Sequence, residues 1–222
     1  MNKKLCIIVP YRDREAHLNQ FLPHMTGVLK QQNIDYHIAV IEQEVGKHFN
    51  RAKLLNVGID QFPDFDYYCF HDVDMLAINS DYSYCPNPTH LAAQAEQFGY
   101  KLPYNEYFGG VTILNRESVL KINGLSNEYK IYGGEDDSLF RRCVAMKLPI
   151  SRKQCSYRSL SHEKFNDFGS PEYQAILDRL RRFNELEFDG TKIIEGLSTL
   201  EYSIVVDKEN IYENTTKIIV SV

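Results

Sequence analysis

Two short glycine-rich stretches hold the residues of this chain best suited to chemistry on a sugar. Tyr107-Phe108-Gly109-Gly110 sets an aromatic ring beside paired glycines, and Gly133-Gly134-Glu135-Asp136-Asp137 follows a second pair with three consecutive acids. Paired glycines let backbone approach a bulky ligand, an aromatic face gives a sugar ring a flat apolar wall, and carboxylates supply a base and acceptors for hydroxyls. Acids in a first helical turn also satisfy free amides and the helix dipole without catalysing anything. Both readings can hold at once, and spacing does not say which acid would be the base.

A second acidic pair, Asp72-Val73-Asp74, follows the apolar run Tyr67-Tyr68-Cys69-Phe70. On an extended backbone, residues i and i+2 share a side, so one carboxylate is free to ligate a divalent cation while the other steadies a ribose or a water. His71 then points to the opposite face and reads as packed or hydrogen-bonded. Of the seven histidines, His162 is the one in a polar loop, Arg158 to Lys164, from which it can reach a metal. Arg12, Arg14 and Arg51 lie near strand-to-helix turns, where phosphates or a base would sit.

The elements that must position these groups alternate. Leu5 to Pro10 reads as a first core strand, Arg14 to Lys30 as an amphipathic helix, and Tyr36 to Ile41 as a second strand. Asn50 is suited to cap a helix carrying Ala52, Leu54, Leu55, Val57 and Ile59, and Tyr67–Phe70 is a third strand. Such alternation predicts a βαβ-type sheet with ligands beyond the carboxyl ends of its strands. The pattern loosens from Asn79 to Pro88, and 90–98 is ambiguous between strand and helix. Further on, the pattern predicts a strand over 110–115, a short helix stopped by Gly124 and a helix from Asp136 or Asp137. A late helix capped by Ser170-Pro171 and two terminal strands, 200–206 and 217–220, complete the pattern.

The chain has 222 residues, 43% of them hydrophobic, and a net charge of −5 with a pI near 5.8. That predicts one globular domain and no nucleic-acid partner. Arg141, Arg142, Arg179, Arg181 and Arg182 read as solvated helix faces rather than as a phosphate or lipid patch. The N-terminal apolar run is too short for a signal segment or a membrane span. Five cysteines without CxxC spacing fit a reduced, cytoplasmic setting, and the sequon at Asn214 then has no role.

Taken in order, Pro10-Tyr11-Arg12-Asp13-Arg14, Phe49-Asn50-Arg51-Ala52-Lys53-Leu54-Leu55-Asn56-Val57-Gly58, Asp72-Val73-Asp74, Tyr107-Phe108-Gly109-Gly110 and Gly133-Gly134-Glu135-Asp136-Asp137 resemble the β-1,4-galactosyltransferase family, glycosyltransferase family 7. The likeness extends to the late run Gly196 to Tyr202. It implies an α/β GT-A fold in one catalytic domain over 1–222. A central mixed sheet is flanked by helices, and a C-terminal β-hairpin ends the chain. About 1–125 would bind the nucleotide-sugar and about 126–222 the acceptor. The implied reaction is inverting transfer of galactose from UDP-galactose, with Mn²⁺ or another divalent cation, to a glycan or lipid-linked saccharide. Asp136 would be the base, and Asp74 and His162 the metal ligands. The resemblance sets Pro10, Tyr11, Arg12, Arg14, Phe49, Arg51, Asp72, Val73, Tyr107, Gly110 and Glu135 around the donor. Around the acceptor it sets Tyr104, Tyr132, Gly134, Asp136 and Asp137.

At Tyr107 a large side chain favours galactose over N-acetylgalactosamine, whose 2-acetamido group needs the space. Two positions depart from the family pattern: Tyr132 replaces a tryptophan, and a third metal ligand is replaced within Ser159-Leu160-Ser161. Without the membrane anchor and stem of the animal Golgi enzymes, the chain is expected to be a bacterial, cytosolic relative. It would act in surface-polysaccharide synthesis, on a GlcNAc-type acceptor, and associate peripherally with the inner membrane face. One alternative is a transferase of the same fold that uses UDP-N-acetylgalactosamine or another UDP-hexose, and two readings of other classes compete with it. A haloacid-dehalogenase-type phosphohydrolase also begins from DxD, but it needs a threonine two residues after the second acid and an N-terminal position. A UDP-sugar-binding protein without turnover is the other.

Overall fold

The computed structural model describes residues 3–131, 133–163 and 165–222. Strand β1 (Lys4–Tyr11) has seven consecutive buried residues, the pattern of a strand covered on both faces. Its alternation sorts the layers. Leu5, Ile7, Val9 and Tyr11 meet Leu18, Phe21, Leu22 and Met25 of α1 (Glu15–Gln31), whereas Cys6 and Ile8 meet Ala52, Leu54 and Leu55 of α2 (Arg51–Gln61) on the other side. Gly58 permits that second contact, since a Cβ there would run into the Ile8 side chain.

Around β1 the main sheet builds outward. Strands β2 (Asp35–Gln43) and β3 (Tyr67–His71) pair with it in parallel, and β7 (Val111–Asn115) runs antiparallel against β3. At the far side, β5 (Thr89–His90) pairs with β7 and, in parallel, with β8 (Ser151–Arg152). At the other edge the C-terminal hairpin of β10 (Ser203–Tyr212) and β11 (Thr215–Ser221) adds β11 in parallel to β2. The resulting order is β10-β11-β2-β1-β3-β7-β5-β8, a mixed sheet. A second sheet of β4 (Met75–Asn79), β9 (Ser156–Ser159) and β6 (Gln94–Ala95) lies on the α1 side.

The helices begin where the sequence predicts. Asn50 accepts from Lys53 N, Asn115 caps α3 (Arg116–Lys121), and Ser170 caps α5 (Pro171–Arg181) with proline at its first position. Helix α4 is Glu135–Ala145, and α6 is the single turn Phe183–Leu186. Where periodicity loosened after Asn79, the chain has no long element. Residues 90–98 hold two-residue strands and a 3₁₀ turn, which are pairings made with distant segments.

Two buried polar networks tie together segments distant in sequence. Asn56, fully buried on α2, donates to Leu125 O and Asn127 Oδ1 at 2.8 Å and accepts from Leu125 N; Asn127 donates to Gly196 O. The second corrects the reading of the arginines as solvated. Arg142 is fully buried, 2.8 Å from Glu187 Oε2 and paired with Glu195, and Arg179 lies 3.3 Å from Glu195. Glu187 also accepts from Tyr129 and Ser138, so four side chains compensate a carboxylate removed from water. Arg182 does sit at the surface, beside Asp178 and Glu185. All five cysteines are buried free thiols.

Candidate active site

Arg51 is the centre of the site, at the carboxyl ends of β1, β2 and β3. As the first residue of α2 it is fixed by its neighbour Asn50, whose N–H donates to Gln43 Oε1 and whose amide donates to Asn127 O. Its side chain, 14% exposed, reaches three acids: Nε is 2.7 Å from Asp72 Oδ1, and Nη1 is 2.9 Å from Asp136 Oδ1 and 3.7 Å from Glu135 Oε1. Burial works against the guanidinium charge, but Asp136, Asp72 and Glu135 hold its pKa well above the usual value.

The acids stand on the first turn of α4. Gly134, at φ +87°, caps this helix without a side chain, and a Cβ there would lie 2.7 Å from Tyr129 and Ile176. The close approach on the Cβ side of Gly134 is therefore to protein. Burial pushes Asp136 up to about 8 against the pull of Arg51, with Glu135, Asp72 and Asp137 adding to the rise. Burial also raises Glu135 and Asp137, the latter against the Tyr104 hydroxyl that donates to it at 2.8 Å.

Tyr107 forms the wall. Its ring packs edge-on against Tyr104, Phe98 and His90, with centroids 5.3–5.6 Å apart. Burial, then Asp136, pushes its phenol far above the ordinary range, so it stays protonated. The adjoining glycines are used for space. A Cβ on Gly109 would strike the Asp136 carboxylate and lie 3.0 Å from the Tyr107 ring, and one on Gly110, at φ +77°, would be 3.1 Å from Ala92. Gly110 O accepts from Asp72 N, joining the DxD segment to this wall.

Asp72 and Asp74 meet different partners. Met75 N donates to Asp72 O across a turn, which breaks the alternation assumed for an extended segment. Asp72 faces Arg51, whereas Asp74 Oδ2 lies 2.9 Å from His162 Nδ1. Burial and then Asp72 raise the Asp74 pKa against His162 and Arg14. A carboxylate and an imidazole converging in this way fit a divalent cation as two of its ligands. No group of three or more His, Cys, Asp or Glu side chains that could hold a metal occurs among the described residues. Ser159, in the segment expected to lack a ligand, directs its hydroxyl at Met75 Sδ, 3.7 Å away.

The other residues expected around the donor lie at the end of β1 and just before α1 and α2. Arg12 lies over the Phe49 ring, 5.2 Å from its centroid, and donates to Lys47 O. Pro10 and Tyr11 end β1, and Arg14 stands at the start of α1. Val73 buries its side chain in the α1-side core. His71 is buried as expected, bonded to Asp72 O and to the Tyr82 hydroxyl. Tyr132 lies outside the described residues.

Two family models match consecutive stretches of the chain: the N-terminal region of glycosyl transferase group 7 over residues 1–86, and the N-terminal domain of galactosyltransferase over 89–164. Human β-1,4-galactosyltransferase 1 is 38% identical over 224 residues, 96% of this chain. The chain belongs to the β-1,4-galactosyltransferase family. Human β-1,4-galactosyltransferase 4 is 39% identical over 225 residues, again 96% of this chain. The chain spans 54% and 63% of the length of these two galactosyltransferases. The solved catalytic domain of Drosophila β1,4-galactosyltransferase 7 in complex with xylobiose superposes with a TM-score of 0.80 at 29% identity, covering 99% of this chain and 94% of that one. A mutant of the same enzyme, in complex with manganese, UDP-Gal and xylobiose, gives 0.79. The fold is that of the GT-A glycosyltransferases.

Within this galactosyltransferase-family site, sequence reasoning missed what lies beneath the Tyr107 loop. Arg152, an ordinary surface arginine by sequence, donates to Asn105 O and Tyr107 O, and His90 donates to Gly109 O. Only the pairing of β5 with β8 brings the two residues together.

Proposed function

We propose that this protein is a metal-dependent, inverting galactosyltransferase that moves galactose from UDP-galactose to a hydroxyl of a glycan acceptor. The observation that carries the reading is the Asp136 carboxylate. Arg51 holds its Oδ1, and its Oδ2 is directed at Gly109 beside the Tyr107 wall. An acceptor hydroxyl there can give its proton to Oδ2 while its oxygen attacks the sugar's anomeric carbon from the face opposite the leaving diphosphate. Arg51 limits the freedom of the base and favours its ionised form. Asp74 and His162 would hold the cation, whose charge offsets that gathering on the departing UDP.

Donor choice follows from shape. Tyr107 fills the space above Gly109-Gly110, which favours galactose over N-acetylgalactosamine. Asp72 is engaged by Arg51 rather than free to act as a nucleophile, which disfavours the phosphohydrolase reading. Further proposals are a GlcNAc-type acceptor attacked through its 4-OH and a role in bacterial surface-polysaccharide synthesis. We also propose action in the cytoplasm at the inner membrane face, supported by the five free thiols. No helix among the described residues is long and apolar enough to cross a membrane.

The test is to incubate the protein with Mn²⁺ and a panel of UDP-sugars and to measure UDP release with and without GlcNAc-terminated acceptors. Acceptor-stimulated release from UDP-galactose above the other donors is expected. No turnover of any UDP-sugar would leave only the binding-protein reading.

A further inference from the structure

We propose that Arg152 is a positioning residue that sets donor-sugar discrimination by fixing the loop from Asn105 to Gly109. This rests on the donor-pocket reading of Tyr107.

The geometry is a closed set of donors beneath that loop. Arg152 Nη2 donates to Asn105 O at 2.6 Å, and Nη1 donates to Tyr107 O at 2.7 Å and to His90 Nδ1 at 2.5 Å. A guanidinium has no acceptor, so His90 Nδ1 must offer its lone pair and the ring proton resides on Nε2. That Nε2 donates to Gly109 O at 2.8 Å. Burial keeps His90 neutral, with its pKa lowered to about 4, and this maintains the tautomer the chain of bonds requires. Three alternate carbonyls, those of Asn105, Tyr107 and Gly109, are thereby held from one side.

Arg152 pairs with no carboxylate among the described residues, and burial lowers its pKa. A half-buried cation without an anion gains little stability, so its use lies in the shape of its fork. That fork bonds the backbone of the residue whose ring closes the pocket. Fixing Tyr107 O fixes the direction of its Cα–Cβ bond, and the ring then stands edge-on to His90, 5.3 Å away, with its hydroxyl over Gly110. If the carbonyl is released, the ring can swing, and a 2-acetamido group gains room.

The experiment compares kcat/KM for UDP-galactose and UDP-N-acetylgalactosamine in wild type, Arg152→Lys, Arg152→Met and Tyr107→Leu, with UDP affinity and Tm measured for each. A lysine keeps the stem and charge but cannot bond both carbonyls in a fixed plane. In both Arg152 variants the preference for galactose is expected to fall about tenfold, the scale of discrimination by pocket shape. UDP affinity, which involves no sugar, is expected to hold. Equal losses with both donors and an unchanged ratio would overturn the inference, because a merely structural residue acts that way. Failure of both variants to fold would overturn it too. If Tyr107→Leu leaves the ratio unchanged, the donor-pocket reading itself fails; if Tyr107→Leu shifts it and the Arg152 variants do not, only the role of Arg152 fails.

Discussion

Arg51 Nη1 lies 2.9 Å from Asp136 Oδ1, so a cation on the first residue of one helix holds a carboxylate on the first turn of another. This contact draws together segments 85 residues apart and sets the protonation of the proposed base.

The pH dependence follows with a definite sign. Burial holds the Asp136 pKa at about 8, and Arg51 opposes that rise. A base must be ionised, so kcat/KM should climb with pH through neutrality and level off above about 8. Arg51→Met removes the opposing charge, and the rising limb should shift to higher pH. A profile flat from pH 6 to 9 in wild type, or a limb that stays put in the variant, would remove Asp136 from the role of base.

The metal pair gives a separable prediction. Asp74→Ala and His162→Ala should each weaken Mn²⁺-dependent UDP binding, by more than the ~10–100-fold that follows loss of an outer-shell partner. Asp136→Asn should leave that binding intact while abolishing transfer. Titration calorimetry with Mn²⁺ and UDP distinguishes them, and chelation with EDTA should abolish turnover. Unchanged Mn²⁺ dependence in both ligand variants would show that the cation sits elsewhere.

Much of this arrangement was legible because it rests on local signals. Asn50 and Ser170 announce their helices through capping chemistry, and the apolar run of β1 announces a strand covered on both faces. What stayed hidden depends on partners distant in sequence. Arg142 reads as a surface residue until Glu187 and Glu195 fold over it, and β5, β6 and β8 are two residues each, too short for any period. The DxD segment departs from the extended strand assumed for it: one turn hydrogen bond, Met75 N to Asp72 O, closes it into a turn, and its acids take Arg51 and His162 as separate partners.

Gly109 offers a test in which stability and activity separate. Its backbone does not need glycine, since its φ is not positive, but an added Cβ would meet the Asp136 carboxylate and the Tyr107 ring. Both are side-chain atoms that can shift, so Gly109→Ala should fold, with a Tm close to wild type. Displacing the base by about an ångström is costly to the reaction, and kcat should fall about a hundredfold. UDP binding should persist. A variant with normal kcat would show that Oδ2 need not lie against Gly109.

The buried charges predict the opposite, a loss of stability that precedes any effect on chemistry. Arg142 and Glu187 are both fully buried, and Glu187 accepts from Tyr129, Ser138 and Arg142. Glu187→Ala leaves Arg142 facing Glu195 alone, a buried cation stripped of its main partner. Such a loss costs about 3–5 kcal/mol. For a chain of this length that lowers Tm by roughly 6–20 °C. Because Ser138 and Arg142 both stand on α4, loosening is expected first where Gly134 and the acids begin that helix. Hydrogen exchange at the amides of α4 should therefore rise in Glu187→Ala before that of β1. Uniform exchange across both elements would mean that the charge cluster supports the whole fold rather than anchoring the helix that bears Asp136.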